Sequence, residues 1–368
     1  MNAHNQSARN SPAVGSTPID PNRPDTVPGR YWHALPGQES RVQCDLCPRF
    51  CKLRDGQRGL CFVRMNQGGQ MVLATYGRSS GFCIDPIEKK PLNHFLPGTP
   101  VLSFGTAGCN LACKFCQNWD ISKSREYDTL ADQASPAAIA RAAEAHGCRS
   151  VAFTYNDPVI FLEYAVDTAK ACRDRGIHPV VVSAGEICAE PRTEFFQDIS
   201  AANIDLKAFT EEFYRTICGA ELAPVLETLK YLKHETNVWL ETTTLIIPGR
   251  NDSRSELDEM TAWVAEELGP DVPMHFSAFH PDYKMMNVRP TPASTLTMAR
   301  EIAMRNGIRY AYTGNVHDHD GDRTVCHACG TPVIERDWFT LRQWNMTADG
   351  CCRACNAPVA GVFDASPG

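Results

Sequence analysis

Between residues 98 and 320, short apolar runs alternate with amphipathic stretches, and nothing else in the chain constrains its fold so tightly. The apolar runs fall at 101–104, 151–154, 179–183, 203–206, 238–247 and 274–278, with a weaker seventh at 309–312. Helical spacing fills the gaps at 137–145, 160–175, 222–234, 256–268 and 296–305. Ser253 and Glu256 form a capping box opening one helix, and Gly147 and Gly176 stand where helices should stop. Regular strand–helix alternation implies parallel strands joined by right-handed crossovers. An α/β fold is expected, specifically a partial (β/α)6-type barrel over 98–320, with a doubly wound open sheet as the competitor.

The flanks read differently. Residues 1–30 carry five prolines and almost no large apolar residue, so this segment is expected to be disordered. Residues 31–97 form a cysteine-bearing module that closes on Asp85-Pro-Ile-Glu-Lys-Lys-Pro91, and 321–361 form a second short cysteine-rich module. The net charge of −7 supplies no pull toward nucleic acid or an anionic membrane. Only a local basic patch would reopen the nucleic-acid reading. There is no run of about 18 apolar residues and no apolar leader core, so no membrane span is expected. The 17 cysteines are odd in number and clustered, which fits metal ligation in a reducing cytoplasm better than disulfide pairing.

The sharpest motif follows the first apolar run: Gly105-Thr-Ala-Gly108-Cys109-Asn-Leu-Ala-Cys113-Lys-Phe-Cys116-Gln-Asn-Trp. Three close thiolates on a glycine-led loop can hold three corners of a [4Fe–4S] cluster and leave the fourth iron open. A structural zinc site or a ferredoxin needs a fourth nearby ligand, and the next cysteine is Cys148.

The Cys-x3-Cys-x-aromatic-Cys loop resembles that of the radical S-adenosylmethionine (SAM) superfamily. Cys44-Asp-Leu-Cys47-Pro, Asp85-Pro-Ile-Glu-Lys-Lys-Pro-Leu-Asn-His-Phe95, Gly108-Cys-Asn and Cys116-Gln-Asn-Trp resemble a narrower group, the radical enzymes of the AmmeMemoRadiSam system, which are similar to pyruvate formate-lyase activating enzyme. The likeness runs over roughly residues 40–361. It implies that Cys109, Cys113 and Cys116 carry the catalytic cluster and that the open iron is chelated by the methionine moiety of SAM. An external one-electron donor such as flavodoxin or ferredoxin would reduce the cluster. The resulting 5′-deoxyadenosyl radical would abstract hydrogen from a substrate, a protein or peptide being one candidate.

Polar groups at the ends of the expected strands support a site on one rim. They are Tyr155-Asn-Asp-Pro158, Ser183-Ala-Gly-Glu186, Asp205 with Lys207, Glu241 and Pro248-Gly-Arg-Asn-Asp252, His280, and Asn315. By the resemblance, Tyr155–158 stands where the family has Gly-Gly-Glu-Pro against the methionine amine, with Asn156 and Asp157 as cofactor contacts. Asp205 and Lys207 match an Asp-Leu-Lys signature of the activating enzymes and are expected at the cofactor's polar end, with an internal salt bridge as the alternative. Arg250 and Asn251 are candidates for the carboxylate or ribose, against a plain Pro-Gly turn. His280 is a weaker candidate, a satisfied loop histidine being the alternative.

Two further cysteine sets remain. Cys326-x2-Cys329 and Cys352-x2-Cys355 form paired knuckles suited to tetrahedral zinc, with Gly330 and Asn356 positioned to take the left-handed turn. That placement favours Cys352 over Cys351. Cys44, Cys47, Cys51 and Cys61 make a second metal site whose spacing does not separate zinc from an auxiliary iron–sulfur cluster, zinc or a structural role being favoured. Three functions compete: radical chemistry on a peptide or protein, radical chemistry on RNA or a small molecule, and a non-enzymatic electron-transfer or interaction protein.

Overall fold

The structure is a computed structural model that describes residues 25–123 and 132–364. Its strands, in chain order, are β1 (Val27–Pro28), β2 (Trp32–Ala34), β3 (Val42–Cys44), β4 (Lys52–Leu53), β5 (Arg64–Gln67), β6 (Gln70–Leu73), β7 (Arg78–Pro86), β8 (Pro100–Gly105), β9 (Asp132–Gln133), β10 (Ser150–Phe153), β11 (His178–Ser183), β12 (Ala201–Asp205), β13 (Trp239–Ile246), β14 (Met274–Ala278), β15 (Ala311–Gly314), β16 (Thr324–Val325), β17 (Pro332–Asp337) and β18 (Thr340–Trp344). Seven of them, β8 and β10 to β15, pair in parallel and in strict sequence order. A doubly wound sheet requires that order to reverse partway. It never does, and residues from all seven strands or their ends line one interior cleft, so the sheet curls as an incomplete barrel.

The barrel carries an addition that the sequence did not announce. Strand β7 pairs antiparallel with β8 and with β9, extending the parallel sheet at its first edge. Residues 25–30, expected to be disordered, are ordered: Val27 and Pro28 pair with Leu73 and Val72, and the Arg30 amide donates to Glu163. The remainder of that segment, 1–24, lies outside the described residues. The seventh strand sits two residues later than expected, at Ala311–Gly314.

The helices pack outside. Ser135 caps the helix Pro136–Ala145 by accepting from the Ala138 amide, with proline at its first position. Ser253 accepts from the Glu256 amide as the capping box requires, but Glu256 turns away and accepts instead from the Phe209 amide at 2.8 Å. A helix at Ala189–Phe196 was missed, because Pro191 and the adjacent Phe195 and Phe196, both buried, break any clean helical period.

The segment 85–95 closes the end of the barrel where the strands begin. Asn203 donates to the Pro91 carbonyl, and Glu241 accepts from the Asn93 and His94 amides. Glu241 is therefore not a rim group: it is the third residue of β13 and is fully buried at the floor, with His275 at 2.6 Å and Trp239 at 2.9 Å. The C-terminal module docks on the same segment. His94 bridges the Ala360 carbonyl and the Tyr312 hydroxyl, and buried Arg336 donates to the Asn93 carbonyl.

Candidate active site

The loop that follows β8 exists because glycine permits it. At Gly108 the backbone has φ +83°, and an added Cβ would lie 1.9 Å from the Cys61 carbonyl. No other residue tolerates both conditions. Hydrogen bonds then fix the loop along its length. Ala112 and Lys114 donate to Cys218 and Ile217, Lys123 Nζ donates to Leu111, and Arg49 Nε reaches the Asn110 carbonyl at 2.8 Å. Asn156 braces it from β10: its Oδ1 accepts from the Thr106 amide and its Nδ2 donates to the Gly108 carbonyl at 2.8 Å.

Cys109, Cys113 and Cys116 all line one cleft of about 320 Å³, within the usual range for small-molecule sites. Its other walls come from successive strand ends, including Thr154, Asn156, Asp157, Ser183, Asp205, Lys207, Thr243, Ser277 and Asn315. Four of the six sequence-derived cofactor contacts are thus gathered here. Arg250 and His280 are not: both are exposed outside this lining, and His280 meets only the Pro281 carbonyl at 3.5 Å. Asn251, buried beside Arg250, is structural, binding the Ile247 amide and the Lys207 and Leu245 carbonyls. Sequence reasoning missed Lys123, Thr243 and Ser277 as lining residues. Their only signal was inward strand alternation, or lysine close behind the motif.

Asp157 is present but occupied. Its carboxylate accepts from the Val159 amide, the Ser183 hydroxyl and the Ala184 amide, and burial raises its pKa. It ties the ends of β10 and β11 together. Lys207 Nζ bonds Asp205 at 2.7 Å. Burial opposes the ammonium, but Asp205, Cys113 and Cys218 outweigh it and hold the lysine well above its ordinary range. The hydrogen bond with Cys218 lowers the Cys113 thiol against the effect of burial, with Lys207 and Lys123 adding to it. Cys218, which belongs to none of the cysteine motifs, is therefore a neighbour of the loop. Burial, reinforced by Asp157, pushes Cys109 up to about 12.

A family model described as the Radical SAM superfamily matches residues 104–264. The chain belongs to the Radical SAM superfamily. It is 39% identical over 322 residues to "Uncharacterized protein MJ0808" of Methanocaldococcus jannaschii, across 87% of this chain and 96% of that one. It is 24% identical to the pyruvate formate-lyase 1-activating enzyme of Escherichia coli K12, across 57% of this chain and 91% of the enzyme. Among solved structures, a domain of pyruvate-formate lyase-activating enzyme from Bacteroides vulgatus aligns with TM-score 0.40 at 19% identity, covering 45% of this chain and 98% of that domain.

Membership makes the chain a radical SAM enzyme and implies a [4Fe–4S] cluster and SAM. The donor set fits the cluster, since three thiols and no fourth cysteine face the cleft. The cleft also fits a polar ligand, because the buried Thr243 hydroxyl has no protein partner. Among the described residues, no helix is long and apolar enough to cross a membrane.

The outer cysteines arrange differently. Cys326, Cys329, Cys352 and Cys355 bring all four sulfurs within 4.8 Å of one another, and Cys351 stays out, turned toward Asp349. Gly330 and Asn356 both adopt positive φ, as the knuckles require. Zn–S bonds of about 2.3 Å put tetrahedral thiolates about 3.8 Å apart, and the observed Cys326–Cys355 and Cys329–Cys352 separations are 3.6 and 3.8 Å. The set can hold a metal. Cys44, Cys47, Cys51 and Cys61 also surround one small cavity, but without that close spacing.

Proposed function

We propose that this protein reductively cleaves SAM at a [4Fe–4S] cluster held by Cys109, Cys113 and Cys116, and abstracts hydrogen from a peptide or protein. The observation that carries the reading is the convergence of the three loop thiols and the Asp205–Lys207 pair on one cleft. Bound there, the cluster and SAM supply a 5′-deoxyadenosyl radical once an external one-electron donor, of the flavodoxin or ferredoxin kind, has delivered its electron.

The chain's own residues position and shield. Asn156 holds the Gly108 carbonyl and so sets the angle at which Cys109 leaves β8. Lys207 stays charged and presents an ammonium to an anionic group such as the methionine carboxylate, while Asp205 orients it. Asp157, its oxygens taken by β11, places the Ser183–Ala184 backbone against the cleft rather than binding freely itself. Zinc at Cys326, Cys329, Cys352 and Cys355 would staple the C-terminal module. A peptide substrate is favoured over RNA by the likeness to activating enzymes and by the acidic net charge.

The test is direct. Anaerobically reconstituted, dithionite-reduced protein should release 5′-deoxyadenosine from SAM, and Cys113→Ala should lower the rate at least about 10³-fold. Cleavage that survives Cys113→Ala would sink the proposal. Deuterium recovered in 5′-deoxyadenosine from a labelled candidate peptide would identify the acceptor.

A further inference from the structure

We infer that Cys44, Cys47, Cys51 and Cys61 form the ligand set of a second, fully cysteine-ligated [4Fe–4S] cluster, not a zinc site. Three observations carry this, and none depends on the SAM chemistry proposed above.

The first is sulfur spacing, for which the molecule supplies its own yardstick. Among the described residues, the C-terminal quartet is the only group of three or more potential ligands with every donor atom within 4.8 Å of the others. That is the spacing one metal ion imposes on thiolates it touches directly. No three of Cys44, Cys47, Cys51 and Cys61 meet it, and neither do Cys109, Cys113 and Cys116. A four-iron cubane places a metal and a sulfide face between its thiolates and so holds them further apart than a single ion does. The N-terminal set groups with the cluster loop, not with the zinc-like knuckles.

The second is the space between them. The four cysteines share the lining of a cavity of about 20 Å³, walled otherwise mainly by apolar groups such as Leu46, Leu53 and Ile160. One water needs about 10–15 Å³. Sulfurs packed at tetrahedral zinc spacing leave no such volume among themselves. The four thiols collar a void rather than closing on one point; the void holds about one or two waters, so the thiols must move outward to admit a four-iron core.

The third is a buried donor set against cysteine sulfur. Arg64 lines the same cavity, is only 1% exposed, and interacts electrostatically with both Cys44 and Cys61. Its Nη1 and Nη2 are taken by Glu163 and the Arg30 carbonyl, its Nε has no acceptor of good geometry, and the guanidinium already lies within hydrogen-bonding range of the Cys44 sulfur. A buried guanidinium N–H left unmatched costs free energy unless something accepts from it. Bridging sulfide or thiolate sulfur is such an acceptor, and hydrogen bonds to cluster sulfur are one of the ways a protein sets cluster potential.

Four cysteine ligands leave no open iron, so this cluster would not bind SAM. It would stand beside the loop that does, because the Cys61 carbonyl packs against Gly108 and Arg49 spans from the cavity lining to Asn110.

The full chain is reconstituted anaerobically with iron and sulfide, alongside a variant carrying Cys109→Ala, Cys113→Ala and Cys116→Ala. The inference expects about eight iron in the wild type and about four in the variant, with matching sulfide. The variant's reduced EPR signal should not change when SAM is added. Adding Cys47→Ala and Cys51→Ala to that variant should remove the remaining iron. A wild-type chain that binds only about four iron, or a variant that holds a second zinc or no metal in place of iron, overturns it. The wild-type count decides the matter if a variant fails to fold. The radical reading fails on a different readout, the absence of 5′-deoxyadenosine, so the two are separable.

Discussion

Strands β12 and β13 present the same inward face twice, and the two presentations differ in what they leave open. Near the floor that face carries Asn203 and Glu241, which are paired in register. Two residues further on, at the rim, it carries Asp205 and Thr243, also paired in register. At the floor, Glu241 accepts from the Asn93 and His94 amides, Trp239 Nε1 and His275 Nε2, and is fully buried. At the rim, Asp205 is about 30% exposed and bonds Lys207, while the Thr243 hydroxyl has no partner. Glu241 is thus fully engaged, although Asn203 Oδ1 beside it has no partner, and about 7 Å further along the face the Asp205–Lys207 pair opens onto the cleft. What separates the two levels is access: Asp205, Lys207 and Thr243 line the cleft, whereas Asn203 and Glu241 do not.

Glu241→Ala puts the largest strain on this contrast. It strands two backbone amides, an indole N–H and a histidine at the floor, and should cost about 3–5 kcal/mol of stability. Chemical denaturation followed by circular dichroism measures it. The contrast breaks if the variant is as stable as the parent yet loses SAM binding, since Glu241 would then belong to the site.

Part of this layout was legible in the sequence. The parallel strands were marked by apolar runs, and 274–278 coincides with β14, whose five residues are all buried. The cysteine loop and the gathering of Asn156, Asp157, Asp205 and Lys207 followed from strand-end placement. What was not legible depends on contacts far apart in the chain. Asn156 looked like a cofactor contact, but its partners Thr106 and Gly108 lie about 50 residues earlier and make it a brace for the loop. Glu241 looked like a rim residue because its register could not be known before β12 and β13 were paired. Arg250 and His280 sit in turns whose direction no periodicity reports. Strand β7 escaped notice because its exposure alternates irregularly across a bulge between Ser80 and Cys83.

A smaller floor effect should appear on acidification. His94 is fully buried with both ring nitrogens engaged, by the Ala360 carbonyl and the Tyr312 hydroxyl. Burial lowers its pKa to about 4, with Arg336 and His275 adding to the effect against Glu241 and the Ala360 carbonyl. The folded value lies below the unfolded one of about 6.5. Between those values the unfolded chain takes up a proton that the folded chain refuses, so stability falls as pH drops from about 6.5 toward 4. The loss is on the order of 2–3 kcal/mol, and it should appear first as undocking of the C-terminal module, which His94 joins to the barrel. Amide hydrogen exchange of 324–363 against pH measures it. A flat profile over that window would separate His94 from the docking contact.

The rim pair should show the reverse balance, with little stability at stake and more binding. Asp205→Asn keeps the shape and removes the charge beside Lys207. The pair is partly open to solvent, so the stability change should stay below about 1 kcal/mol. Lys207 would lose the carboxylate that orients it, and the affinity of the reconstituted protein for SAM should fall about tenfold, the cost of one charge-assisted contact. Equilibrium binding and thermal unfolding on the same preparation read both quantities. The comparison between floor and rim fails if Asp205→Asn destabilises the fold as much as Glu241→Ala while leaving SAM affinity unchanged. That result would make Asp205 a second structural carboxylate and leave Lys207 as the charged group that the rim directs at the ligand.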